Sequence, residues 1–294
     1  MNTAVSTVRS QASDFIELCK PRITLLVLVS TFTGMWLAGG NTLHFSLVFV
    51  TLIGTAMASA ASGALNNFID RDIDKVMSRT QHRALPSGRV LPQHALILGS
   101  LLSLAAFMLL FFAVNALTAF IALATILFYV GIYTAWLKRH SPLCTEIGGI
   151  AGALPPIIGW AAVTGSIGAP ALALFLLMFL WQPPHFWVLA LLRTEEYRRV
   201  NIPMLPVVSG ANVTKQRILI YTIALLPATW LLYSLDVVGL WYLVLGSGLG
   251  LAYLVLTFDF VRKPLSITRA RRLFGFSILY LFSMFIIILA DFRG

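Results

Sequence analysis

Acidic residues are scarce in this chain: 11 Asp and Glu stand against 21 Lys and Arg, and all charged residues make up only 11% of the sequence. A soluble chain of 294 residues would form about two domains. The hydrophobic content of 59% and mean hydropathy of +0.87 point instead to a polytopic membrane protein folding as one unit. Cysteine is nearly absent. Cys19 and Cys144 have no metal-type spacing, so they read as isolated thiols and not as ligands or a disulfide. The first twenty residues hold Asp14 and Glu17 and lack an apolar run, which argues against a cleaved signal peptide. With one Arg before Lys20, they do not resemble a transit peptide either. A bacterial plasma membrane is the simplest setting.

What is present is apolar sequence in spanning lengths of roughly 17–25 residues. Nine segments qualify, at about 22–39, 45–66, 93–114, 117–137, 145–164, 170–191, 218–235, 238–258 and 272–291. The expected fold is an all-α bundle of about nine transmembrane helices around a central cavity, with residues 1–294 as a single domain. Of the 21 Lys and Arg, only Arg293 falls outside the set formed by the N-terminus and the even-to-odd connections. The connections 39–44, 115–116, 164–169 and 236–237 carry none. The positive-inside rule makes the basic side cytoplasmic, together with the N-terminus and the long loops. Topology and anionic lipid or phosphate ligands account for the net charge of +10 better than nucleic acid does.

The richest stretch is Asn66–Arg89, directly behind the second span. Asn66, Asp70 and Asp74 lie at i, i+4 and i+8 and drift only ~80° in total around a helix, so they share one face. Ionisable groups at the edge of a bilayer are costly and point to function. Three oxygen donors with arginines beyond suit one or two Mg²⁺ ions holding a phosphorylated ligand, with Asn66 as a neutral donor. Asp72 faces away and reads as solvated. Arg79 and Arg83, again i and i+4, are positioned to neutralise phosphate oxygens or leaving pyrophosphate. Topogenic charge explains them equally well, as it does Arg89, Lys138 and Arg139.

A second long loop, 192–217, opens with Glu195-Glu196-Tyr197-Arg198. It forms a candidate second metal or pyrophosphate site facing the first. The two glutamates cannot share a helix face, and Glu196 is the inward choice. Both long loops run through basic residues and proline, four spans apart, which is compatible with an internal duplication or with simple loop composition. Small residues and Pro155-Pro156 in the fifth span predict a tightly packed, kinked helix. In the sixth span, Trp181-Gln182-Pro183-Pro184-His185-Phe186-Trp187 places a histidine beside a Pro-Pro break among aromatics. His185 is either a satisfied core residue or a contact to a flat acceptor, as ligand or acid/base. The aromatics would wall such an acceptor and stabilise an allylic cation.

Taken together these motifs resemble the UbiA-type intramembrane prenyltransferases, and within them the haem-modifying branch, over nearly the whole chain. The resemblance rests on Lys20-Pro21-Arg22-Ile23-Thr24 at the opening of the first span and on Asn66-xxx-Asp70-xxx-Asp74. It continues through Arg79-xxx-Arg83 with Leu85-Pro86-Ser87-Gly88, Tyr133-Thr134-xx-Leu137-Lys138-Arg139 and Gly148-Gly149-xx-Gly152-Ala153-x-Pro155-Pro156. Trp181-Gln182-x-Pro184-His185-Phe186 and Ile202-Pro203-Met204-Leu205-Pro206 match the haem-modifying branch in particular. Three positions depart from pattern. Asn67 stands where the wider family has Asp, the second acidic motif is only Glu195-Glu196-Tyr197, and Cys144 replaces a common Asn.

The resemblance implies that Mg²⁺ and basic residues hold farnesyl diphosphate at the cytoplasmic face. A vinyl group of haem B would capture the farnesyl cation and water would complete haem O. It assigns Asp70, Asp74 and His185 to the chemistry, and Asn66, Asp70, Asp74 and Glu196 to metal. Asn66, Arg79, Arg83, Lys138, Arg139, Glu196, Tyr197 and Arg198 fall to the substrate. Contact with haem A synthase or haem-copper oxidase assembly is implied only through the family. A 4-hydroxybenzoate-type or chlorin acceptor, or a secondary transporter, are the rival readings.

Overall fold

A computed structural model describes residues 11–293. Among them nine segments are long and apolar enough to cross a membrane: Pro21–Thr42, Phe45–Ile69, Pro92–Ala113, Ala116–His140, Cys144–Thr164, Ala169–Leu192, Gly210–Ser234, Leu240–Arg262 and Ile267–Ala290. They are numbered here as the first to ninth spans. The described residues are helical and contain no strand beyond one isolated bridge, Val238 with Phe292. Each span packs on its sequence neighbour, and the ninth returns to the first, which closes the bundle into a ring. The main core is shared by the first, fifth, sixth, seventh, eighth and ninth spans, with Trp187, Tyr242, Tyr253, Tyr280 and Phe285 buried in it. A second core joins the second to fifth spans around Leu110, Ile126 and Ile158.

The seventh span begins at Gly210 and not near 218, and the ninth at Ile267 and not near 272. Apolar counting stops at Lys215, Arg217 and Arg269–Arg272, but the backbone stays helical through these charges. Long basic side chains extend towards the interface while their stems lie along apolar surface. Arg293 donates its backbone N–H to Val237 O at 3.0 Å, at the end of the bundle opposite the other basic residues. Arg9, assigned to the basic side, lies outside the described residues.

The fifth span breaks at Leu154, between Cys144–Ala153 and Pro155–Thr164. Two prolines in a row remove two backbone donors there, which enforces the bend. The bent helix is pressed against the first span. A Cβ on Gly159 would sit 1.9 Å from Thr31 O, and one on Gly34 2.1 Å from Pro156 O. The sixth span departs from expectation. Its helix runs unbroken from Ala169 to Leu192 through Pro183 and Pro184. Inside a bundle, neighbouring groups support a helix around its prolines. Beside the prolines, Gln182 ties the sixth span to the fifth, donating to Gly149 O at 3.0 Å and to Met178 O at 3.3 Å.

Two short helices hang beneath the bundle at its basic end. Arg71–Val76 follows the second span and Thr194–Arg199 follows the sixth. Ile73, Met77, Leu137, Cys144, Ile202 and Met204 gather into one buried apolar cluster, with Tyr133 and Tyr197 packed on it. The two long loops therefore meet. An N-terminal helix, Gln11–Leu18, closes the same end. Arg89 clamps it, pairing with Asp14 at 2.8 Å and Glu17 at 3.1 Å.

Candidate active site

The second span ends at Asp70, yet the hydrogen-bond ladder continues. Asp70 N–H donates to Asn66 O at 2.9 Å and Asp74 N–H to Asp70 O at 2.8 Å. The turn at Asp70 thus keeps Asn66, Asp70 and Asp74 in register. All three are buried, with Asp70 only 2% and Asp74 4% exposed. Buried carboxylates need partners, and the basic residues supply them. Lys138 Nζ pairs with Asp70 Oδ2 at 2.6 Å, and Arg83 Nη1 pairs with Asp74 Oδ2 at 2.8 Å. Asn66 Nδ2 donates to Asp70 Oδ2 at 2.9 Å and to Thr134 Oγ1 at 3.1 Å.

Lys138 and Thr134 arrive by an unexpected route. The fourth span changes from α-helix to a π-helical stretch at Phe128–Leu137. Thr134 Oγ1 donates to Tyr129 O, five residues back, at 2.8 Å. Such wider turns are uncommon and occur often at functional sites. The stretch directs Thr134 and, one turn on, Lys138 to the Asn66–Asp70 pair.

Lys20 completes the cluster, and the sequence reading assigned it no role there. It precedes the first span in a left-handed conformation, φ +49°, and its Nζ donates to Asn66 Oδ1. Burial pulls its pKa down to about 7, with the Arg83 and Lys138 charges pushing the same way and Asp70 and Asp74 opposing. Arg79 is likewise held below its usual value, by burial first and then by Arg83. It faces a cleft of about 410 Å³ shared with Ile16, His82 and Arg83. Four cations, Lys20, Arg79, Arg83 and Lys138, thus surround two carboxylates, which leaves the group a net attraction for a polyanion.

The other expected contacts sort differently. Arg139 forks onto Asp72 at 2.7 and 2.8 Å, outside the cluster, and holds that carboxyl at about 2. Asp72 is 60% exposed at its side chain, in keeping with a solvated position. Arg198 pairs with Glu195, whose side chain is 72% exposed, so both point outward. Glu196 turns inward at 24%, with Arg193 at 3.0 Å on Oε1. Tyr197 packs in the apolar cluster between the loops, and Arg79 lies in its electrostatic field and that of Arg193. Asn67 donates to Leu18 O at 3.1 Å, so it secures the N-terminal helix and does not face Asp70. Cys144 meets Met204 across the loop junction, Sγ to Sδ 3.5 Å.

His185 is buried and lies between Trp181 and Phe274, with ring centroids 4.5 Å away on each side. Its Nδ1 is 2.7 Å from Ser277 Oγ. The ninth span therefore orients this ring.

The donor set suits Mg²⁺. Asp70 Oδ1 and Glu196 Oε2 are buried with no hydrogen-bond partner. No group of three or more His, Cys, Asp and Glu is arranged for a metal among the described residues. The open oxygens of Asp70 and Glu196 are what Mg²⁺ calls for, because it uses one or two carboxylates and takes its remaining oxygens from phosphate and water. Asn66 also brackets Lys20 and Asp70, accepting from Lys20 at Oδ1 and donating to Asp70 from Nδ2; Oδ1 keeps a second lone pair for a metal.

Fold and site together define a multi-pass helical membrane protein with a cation-rich, two-carboxylate cluster at the basic end of a closed ring. Residues 27–286 match the model of the UbiA prenyltransferase family. The chain belongs to that family. It is 46% identical over 282 residues to a protoheme IX farnesyltransferase of Thermosynechococcus vestitus, covering 96% of this chain and 89% of that one. Among solved structures it resembles a digeranylgeranylglyceryl phosphate synthase with TM-score 0.81, 18% identity and 96% and 98% coverage. It also resembles a UbiA homologue of Archaeoglobus fulgidus bound to DMAPP and Mg²⁺, with TM-score 0.67, 18% identity and 94% and 99% coverage. At these identities the two structures bear on the fold alone.

Proposed function

We propose that this chain transfers the farnesyl group of farnesyl diphosphate to a vinyl group of haem B, giving haem O and diphosphate. The observation that carries this reading is the buried Lys20–Asn66–Asp70–Lys138 network, with Asp70 Oδ1 left open, in a chain 46% identical to a protoheme IX farnesyltransferase. Asp70 and Asp74 would hold Mg²⁺, with Glu196 as a further carboxylate. The metal, when bound, neutralises diphosphate charge as a Lewis acid. Lys20, Arg79, Arg83 and Lys138 bind the diphosphate oxygens and stabilise the pyrophosphate that departs with the bonding electron pair. Arg139 and Arg198 are kept out of this set, since Asp72 and Glu195 hold them outside.

The farnesyl C1–O bond breaks, and the vinyl group supplies the electrons of the new C–C bond. Water adds to the resulting cation and releases a proton. The Trp181–His185–Phe274 stack offers a flat, π-rich wall for the acceptor. Burial of the apolar side chains around it keeps water from the allylic cation until the C–C bond has formed.

The excess of Lys and Arg at the site's end supports a reading in which that end faces the cytoplasm of a bacterial inner membrane. Residues 1–294 act as a single transferase domain in this reading. Haem B is drawn from the membrane, and haem O passes to an enzyme of haem A synthesis or to haem-copper oxidase assembly. Membranes containing the protein, given farnesyl diphosphate and Mg²⁺ with either haem B or 4-hydroxybenzoate, test the acceptor. Farnesylation of haem B alone is expected. Prenylation of the benzoate alone would reassign the enzyme to quinone synthesis.

A further inference from the structure

Away from the candidate active site, a groove of about 560 Å³ runs between the eighth and ninth spans on the outer surface of the ring. Val255, Leu256, Phe276 and Leu279 make its apolar walls, and Val255 and Leu279 are more than half exposed. Such walls belong among acyl chains. The basic end of the groove differs, because Arg271 and Arg272, both exposed, line it from the ninth span. Among the described residues neither arginine forms an ion pair.

Their neighbours are already engaged. Lys263 pairs with Asp259 at 2.5 Å, Arg262 lies 4.0 Å over the Phe258 ring, and Arg269 donates to Pro264 O at 2.5 Å. Asp259 is the carboxylate whose field reaches Arg272, and Lys263 holds it. Two unsatisfied guanidiniums therefore cap an apolar trough at the level where headgroups lie. The groove also has an open floor. A Cβ on Gly275 would meet nothing within 4 Å, so this small residue leaves the trough deep midway between Arg271 and Leu279.

We propose that this groove is a binding site for an anionic phospholipid, its phosphate on Arg271 and Arg272 and one acyl chain along Val255, Phe276 and Leu279. Arginine forks match phosphate oxygens, and basic recesses between spanning helices select anionic headgroups. The bilayer supplies the occupant, and the charge at the mouth selects among bilayer lipids. The bound chain would brace the pair formed by the eighth and ninth spans. The ninth span also carries Phe274 and Ser277, which hold His185. The groove and the acceptor wall therefore draw residues from one helix.

The full chain in a neutral detergent, offered equimolar dioleoyl phosphatidylglycerol and dioleoyl phosphatidylcholine, tests the site by native mass spectrometry. Retention of phosphatidylglycerol is expected to exceed that of phosphatidylcholine by about tenfold. Arg271→Gln with Arg272→Gln should erase the preference, and Arg271→Lys with Arg272→Lys should keep most of it. Gly275→Leu, which fills the floor and leaves both charges, should lower retention of either lipid. Melting temperature in detergent tells loss of lipid from loss of fold. Equal retention of the two lipids by the native chain, or an undiminished preference in the double Gln variant, would overturn the proposal. So would haem B displacing phosphatidylglycerol stoichiometrically from the native chain but not from the Gln variant, because the groove would then be an acceptor site.

Discussion

Lys20 ties the chemistry of the cluster to pH. Its folded pKa of about 7 lies below the usual lysine value, chiefly through burial beside Arg83 and Lys138. Without ligand, then, it loses its proton as pH rises through about 7. A diphosphate favours the charged form, so binding above that pH must take up a proton, and affinity falls. The KM for farnesyl diphosphate is expected to climb between pH 7 and 9 in the native enzyme. Lys20→Met should raise KM at pH 6.5 by about tenfold, as for loss of a charged hydrogen bond, and should flatten the climb. A KM–pH profile unchanged by the substitution would remove Lys20 from the diphosphate site. Sequence alone exposed Asn66, Asp70 and Asp74, because a spacing of four is visible along one helix. Lys20 was illegible as a site residue because it comes from 46 positions away. The basic residues could not be sorted by composition either. Whether Arg83 faces Asp74 or Arg139 faces Asp72 depends on a fold that a list of charges does not contain.

At the scale of elements, the spans were legible from their apolar length, while their ends and internal irregularities were not. The Pro155-Pro156 bend followed from the missing donors, yet Pro183-Pro184 left its helix continuous inside the bundle. The π-helical stretch of the fourth span leaves no mark in apolar periodicity, though it brings Thr134 and Lys138 to the site. Close contact of the first and fifth spans depends on Gly34 and Gly159. Gly159→Val would drive a side chain into Thr31 O, and overpacking typically costs ~1–3 kcal/mol, with a backbone collision at the upper end. The melting temperature in detergent is expected to fall sharply. Gly248→Ala, whose Cβ meets nothing within 4 Å, should leave it unchanged. A stable Gly159→Val variant would mean that these two spans are further apart than described.

For the whole molecule, the distribution of Lys and Arg supports the proposal that the site faces the cytoplasm. In a Cys19→Ser background, Ser87→Cys should react with a membrane-impermeant thiol reagent only after spheroplasts are lysed, and Ser166→Cys should react while they are intact. The reverse pattern would move the carboxylate cluster to the outer face and away from a cytoplasmic diphosphate. Packing of the first span on the second brings the N-terminal Lys20 to a site built mostly from the second and fourth spans. Packing of the ninth span on the sixth carries Ser277 and Phe274 to His185. The central claim is that the Asp70 cluster activates farnesyl diphosphate for transfer to haem B. It is tested most directly by extracting haem from cells, otherwise unable to farnesylate it, that express the native chain or Asp70→Asn. The native chain should yield haem carrying a hydroxyethylfarnesyl group. The Asp70→Asn protein, present in the membrane at the same level, should yield at least about a hundredfold less. Unmodified haem B from native cells, or full conversion by Asp70→Asn, would contradict the account.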